Sequence, residues 1–235
     1  MAKRKSSKSP LSENHLNLQD IAPLTENQRI FFENYKSDKS QFLLGYPGTG
    51  KTFNALFKAF QDINDPKTEY RRSVIIRSAV PTRDIGFLPG TEQEKSVVYE
   101  LPYKKICSEL FGRDDAYEIM KKHDTIRFMT TSFVRGITLD DTIVLVDEFQ
   151  SMNAHELDSI LTRIGRNSKI LFCGDFMQSD LTRESEKHGA HKFFQVVQKM
   201  TNSFDINNFT AEDIVRSGIV KEYIKLKYSI FKDGF

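Results

Sequence analysis

Gly45, Gly50, Lys51 and Thr52 stand at the spacing G-x-x-x-x-G-K-T, with Pro47, Gly48 and Thr49 in the loop between them. A glycine-rich turn of this length lets backbone N–H groups converge on phosphate oxygens. A helix starting near Lys51 adds the positive end of its dipole. A lysine here reaches the β- and γ-phosphates, and the Thr52 hydroxyl is placed to hold Mg²⁺. The expected chemistry is capture of a nucleoside triphosphate.

A second group of residues lies far downstream. Thr142-Ile143-Val144-Leu145-Val146 is an apolar run ending in Asp147 and Glu148. A carboxylate at the carboxyl end of a parallel strand borders the phosphate crevice, so Asp147 is the expected metal partner, directly or through water. Glu148, one residue farther on, would polarise an attacking water. The plainer reading is that both acids begin a loop and cap a helix near Asn153. The run Lys169–Gly174 ends at the same edge, followed by Gln178, whose amide both donates and accepts and could sense a γ-phosphate. Ahead of the glycine loop, Gln28 could pair with an adenine edge, although an exposed helix glutamine is the commoner explanation.

These groups need strands to carry them. Short β-rich runs fall at Gln41–Gly45, Ser73–Arg77, Thr125–Thr131, Thr142–Asp147, Lys169–Gly174 and Ser203–Asn207. Helices are predicted over Thr52–Asp62, Tyr99–Phe111, Asp115–Lys121, His155–Ile164, Gly189–Lys199 and Ala211–Lys227. Another helix follows Thr25, with Ile30, Phe31 and Tyr35 on its apolar face. Alternating strands and helices predict an α/β fold, a mostly parallel central sheet with helices on both faces.

The 235 residues are 39% apolar and 28% charged, enough for one well-buried domain with additions. Net charge is only +2, so any nucleic-acid surface must come from local clustering. Residues 1–20 are polar and Ser/Lys-rich and predict a disordered basic tail, leaving 21–235 as one domain. Cys107 and Cys173 lack metal-ligand spacing and suit a reducing compartment. With no long apolar run, the chain reads as cytoplasmic and without membrane contact. Arg77, Arg83 and Arg135, with Phe87 as a stacking surface, are candidate contacts for single-stranded nucleic acid. A phenylalanine between glycines also commonly plugs a core.

Together, these segments resemble the PhoH-like family of P-loop ATPases, especially its bacteriophage branch. The resemblance rests on Gly45–Thr52, Gly86-Phe87-Leu88-Pro89-Gly90, Asp147-Glu148-Phe149-Gln150, Leu161-Thr162-Arg163-Ile164-Gly165, Gly174-Asp175-Phe176-Met177-Gln178 and Glu212-Asp213-Ile214-Val215-Arg216. It implies a RecA-like P-loop NTPase core related to superfamily 1 helicases, ATP and Mg²⁺ as cofactors, and ATP hydrolysis. It also implies a homo-oligomeric ring such as a hexamer, with RNA or single-stranded DNA as partner, in the cytoplasm of a bacterial host if phage-encoded. In such a ring an arginine of the neighbouring subunit can stabilise the transferring phosphoryl group, and Arg163 and Arg216 are the candidates. Either could instead be an ordinary surface arginine. Two departures from the family pattern stand out: Ser151 follows Gln150 where many members carry asparagine, and Arg77–Asp84 replaces an acidic stretch. The alternative function is a slow nucleotide-switched scaffold that does not translocate.

Overall fold

A computed structural model describes residues 11, 16–78, 92–178 and 184–231 of the chain. Six strands form one sheet: β1 (Ser40–Gly45), β2 (Arg72–Arg77), β3 (Ile126–Thr130), β4 (Thr142–Asp147), β5 (Lys169–Gly174) and β6 (Phe204–Phe209). Their order is β3-β2-β4-β5-β1-β6, and each neighbouring pair is parallel. The helices are α1 (Glu26–Asn34), α2 (Lys51–Asn64), α3 (Glu92–Phe111), α4 (Ala116–Lys122), α5 (Ala154–Leu161), α6 (Glu184–Lys199) and α7 (Gly218–Phe231).

The pleat sends alternate strand residues to opposite sides. Leu43, Ile75, Leu145 and Leu171 pack under α1 to α4, with Phe57, Phe60, Tyr103 and Tyr117. Phe42, Val74, Val144 and Phe172 face the other way, against Leu157 and Ile160 of α5 and Phe193 and Val197 of α6. The central strands β4 and β5 are buried along their whole length, which explains their continuous apolar character. The fold is therefore the doubly covered parallel sheet of a RecA-like P-loop NTPase. Its phosphate loop leaves β1 beside β5, and the acidic end of β4 lies one strand farther on.

Several boundaries differ from expectation. The Ser/Lys-rich start is not tail throughout: Leu11 and Leu16 are buried in the core, and Gln19 donates its backbone N–H to the Leu110 carbonyl at 2.9 Å. Four apolar residues, Leu11, Leu16, Leu18 and Ile21, are enough to anchor this polar segment. The helix expected from Tyr99 begins at Glu92, so Pro102 sits inside it rather than in its first turn. Ile30 is exposed, while Phe31 and Tyr35 are buried.

The expected Ala211–Lys227 helix is broken. A 3-10 turn at Ala211–Asp213 is capped by Thr210, and Ile214 is extended. The Val215 N–H then leaves helical bonding to donate to the Gly48 carbonyl at 3.0 Å. A contact with the phosphate loop has overridden helical propensity there.

Candidate nucleotide site

The phosphate loop has the backbone that its glycines permit. Gly45, Gly48 and Gly50 lie at φ +127°, +72° and +80°, a region that L side chains rarely occupy. A Cβ on Gly45 would stand 1.9 Å from the Phe209 carbonyl oxygen of β6, so the loop's first position tolerates no side chain. Thr49 ties the turn to itself, its hydroxyl donating to the Tyr46 carbonyl at 2.8 Å. The Lys51 ammonium donates to the carbonyls of Gly45 and Tyr46, each at 2.7 Å. Burial lowers its pKa, opposed by the nearby charges of Asp175, Glu148 and Asp147.

Asp147 meets the loop directly. Its Oδ1 accepts from the Thr52 hydroxyl at 2.8 Å, and its Oδ2 accepts from the Tyr103 hydroxyl of α3, also at 2.8 Å. Burial, then the charge of Asp147, pushes the Tyr103 phenol well above its ordinary range, so it stays a donor. Thr52 and Asp147 supply the hard oxygens that Mg²⁺ takes, and Mg²⁺ needs only one or two protein oxygens alongside phosphates and water. The donor set fits that ion.

Glu148 follows in the left-handed region, φ 53° and ψ 43°, a conformation costly for a non-glycine residue and frequent at functional sites. It turns the carboxylate out of the strand line. Gln150 then fixes its direction: Nε2 donates to Glu148 Oε2, and Oε1 accepts the Asp175 N–H at 3.0 Å. Burial, with Asp147 beside it, raises the Glu148 pKa. Gln178 stands at the end of β5, its Nε2 donating to Asp175 Oδ2 and to the Tyr228 hydroxyl, both at 3.1 Å.

Lys51, Thr52, Tyr103, Asp147, Glu148 and Gln178 line one cleft of about 730 Å³. Gln28 lines it too and is buried: its Nε2 donates to the Thr49 carbonyl at 3.0 Å, and its Oε1 accepts the Leu24 N–H at 2.8 Å. Arg216 reaches its own chain's cleft, its aliphatic stem against Gly48. Arg163 does not. It follows α5, beside the Leu139–Ile164 bridge at the amino-terminal edge of the sheet, with Nε buried and unbonded among the described residues.

Of the expected polymer contacts, Arg77 lines the nucleotide cleft, close to Tyr103, Asp147 and Glu148. Arg135 is exposed in the turn after β3, on the sheet's carboxyl edge. Arg83 and Phe87, with the rest of the Gly86–Gly90 segment, lie outside the described residues. Sequence reasoning missed Tyr103 and Tyr228, which carry no motif. It also missed Phe133, 53% exposed two residues before Arg135.

The profile of the PhoH-like protein family matches residues 20–228. The chain belongs to this family. The PhoH-like protein of Mycobacterium tuberculosis H37Rv is 29% identical over 205 residues, covering 87% of this chain and 57% of that one. That of Bacillus subtilis is 29% identical over 205 residues, covering 86% and 62%. This PhoH-like chain thus spans about three-fifths of the length of the curated relatives it matches. Among solved structures, one of Pif1 helicases at forked double-stranded DNA aligns with TM-score 0.38 and 16% identity, over 80% of this chain and 43% of that one.

Among the described residues, no helix of this family member is long and apolar enough to cross a membrane.

Proposed function

We propose that the chain is a Mg²⁺-dependent ATP hydrolase, acting as a ring of identical subunits that couples hydrolysis to remodelling of RNA or single-stranded DNA. The observation that carries this reading is the Thr52–Asp147 hydrogen bond at 2.8 Å, which joins the phosphate loop to the acidic strand end. It brings both halves of a nucleotide machine into one cleft.

Lys51 would exchange the Gly45 and Tyr46 carbonyls for phosphate oxygens, giving up two neutral acceptors for charged ones. Thr52 and Asp147 would hold Mg²⁺, which when bound neutralises charge on the β- and γ-phosphates. Glu148, aimed by Gln150, would accept a proton from the attacking water, and Gln178 would register the γ-phosphate. Gln28 would hold the loop beside the base, and Arg216 would add positive charge to its own chain's cleft.

Glu148→Gln keeps shape and volume but not the base. We expect it to bind ATP with affinity near that of the wild type while phosphate release falls by about 10²–10⁴-fold. Unchanged hydrolysis would remove Glu148 from the mechanism.

The polymer part rests on Arg135 and the exposed Phe133, a cation and a ring on the sheet's carboxyl edge. ATP turnover should rise with single-stranded RNA or DNA more than with duplex at one fixed salt concentration. Phe133→Ala and Arg135→Ala should each reduce that stimulation and leave basal turnover alone. Equal turnover with and without every polymer would favour the scaffold reading instead.

A further inference from the structure

The C-terminal segment touches both arms of the nucleotide cleft. After β6, Val215 donates to the Gly48 carbonyl and Arg216 lies on Gly48. Helix α7 then folds back, burying Ile224 and Tyr228 against Ile214 and Tyr46. The Tyr228 ring packs on that of Tyr46, in the phosphate loop, with centroids 4.4 Å apart. Its hydroxyl donates to Asp175 Oδ2 and accepts from Gln178 Nε2. Gln178 donates to the same Asp175 oxygen, which closes a three-membered polar ring.

A phenylalanine at 228 would fill the same apolar space. The hydroxyl therefore serves the polar ring alone, and that ring contains the residue expected to meet the γ-phosphate. Burial, then the hydrogen bond to Asp175, raises the Tyr228 phenol pKa, so it remains a donor throughout the physiological range.

We propose that Tyr228 is a positioning residue for Gln178, and that through it α7 responds to the nucleotide bound by its own subunit. The inference rests on the reading of Gln178 as the γ-phosphate reporter. Gln178 is tied to Asp175 and Tyr228. When Gln178 turns to the γ-phosphate it gives up both bonds, Tyr228 keeps only Asp175, and the hold on α7 changes. Movement of Tyr46 as Lys51 leaves its carbonyl acts on the other side of the same ring.

The test is Tyr228→Phe, which keeps the packing on Tyr46 and loses only the hydroxyl; its thermal midpoint checks that it folds. We expect kcat to fall about tenfold while KM for ATP stays within about twofold. The double variant with Gln178→Ala should be no slower than Gln178→Ala alone, since both remove one linkage. Amide exchange across residues 218–231 should differ between a non-hydrolysable ATP analogue and ADP in the wild type, and this difference should vanish in Tyr228→Phe. Full kcat with an intact exchange difference would overturn the inference and leave the ATPase standing. So would a Tyr228→Phe defect that multiplies with Gln178→Ala, because it would place the hydroxyl's effect elsewhere. A wild type that neither binds nor hydrolyses ATP would overturn the ATPase and the inference together.

Discussion

Asp147 accepts two hydroxyl hydrogen bonds, from the residue after the loop lysine and from a tyrosine on a helix with no motif of its own. Thr52 would share its oxygen with Mg²⁺, whereas Tyr103 lies behind the carboxylate and fixes its rotation. Groups that orient a metal ligand in this way commonly matter tenfold or more. Tyr103→Phe should therefore raise the Mg²⁺ concentration for half-maximal turnover by about tenfold and leave ATP saturation at high Mg²⁺ little changed. A Mg²⁺ titration identical to wild type would show that Asp147 needs no such support. The glycines make a contrasting pair. At Gly45 a methyl group meets the backbone of β6, which cannot yield, so Gly45→Ala should destabilise the fold by about 2 kcal/mol or more in urea denaturation. At Gly48 the obstruction is the flexible stem of Arg216, 2.6 Å away. Gly48→Ala should cost less stability, its penalty being mainly the positive φ, and should impair nucleotide binding more than folding.

At the scale of elements, β2 and β3 are tied at their start by Asp124, which accepts from Arg72 and Arg127. The Arg127 hydrogen bond holds the Asp124 carboxyl below its ordinary range. A folded-state pKa below the unfolded one gives stability that is present above the unfolded value and lost as pH falls through the folded one. Asp124→Asn should thus cost up to about 1 kcal/mol near neutrality, since the group is partly exposed, and the gap should begin to close below about pH 4. A gap of the same size at pH 3 would trace the loss to the turn rather than to the charge. The strands themselves were legible: apolar runs or period-two alternation located all six, and Thr142–Asp147 and Lys169–Gly174 match to the residue. The helices were less so wherever a tertiary contact decided the outcome. The helix expected from Tyr99 starts seven residues earlier, at Glu92, and places Pro102 in its interior, where local propensity disfavours a proline. The break before α7 depends on the Gly48 carbonyl, about 165 residues away along the chain, and no local pattern announces such a partner. That Lys51, Thr52, Asp147, Glu148 and Gln178 would meet in one cleft was legible, because phosphate and metal chemistry restrict residue type and spacing. Tyr103 and Tyr228 were not, since a buried tyrosine looks the same whether its hydroxyl serves a site or only itself.

For the whole molecule, the two candidate arginines divide by position. Arg216 lies in its own subunit's cleft, so a neighbour is not needed to deliver it. Arg163 follows α5 at the amino-terminal edge, while the phosphate loop and Asp147 are at the carboxyl edge. The length of β4 alone separates them by roughly 17–20 Å. It can act on ATP only from another copy, in a head-to-tail contact that joins the lower edge of one sheet to the upper edge of the next. Such heterologous contacts close into rings when the rotation allows. Light scattering should then report a closed oligomer with ATP, and a strict monomer under all conditions would remove the ring. The sharper prediction uses complementation. Arg163→Ala subunits retain an intact cleft but offer no arginine; Glu148→Gln subunits offer the arginine but cannot hydrolyse. Each alone should be nearly inactive. Mixed one to one with free exchange, about a quarter of the interfaces pair an intact cleft with an intact arginine, and that fraction of turnover should return. If the mixture stays as silent as its parents while Arg163→Ala still binds ATP, Arg163 belongs to the fold of its own subunit and the neighbour contributes nothing to the chemistry.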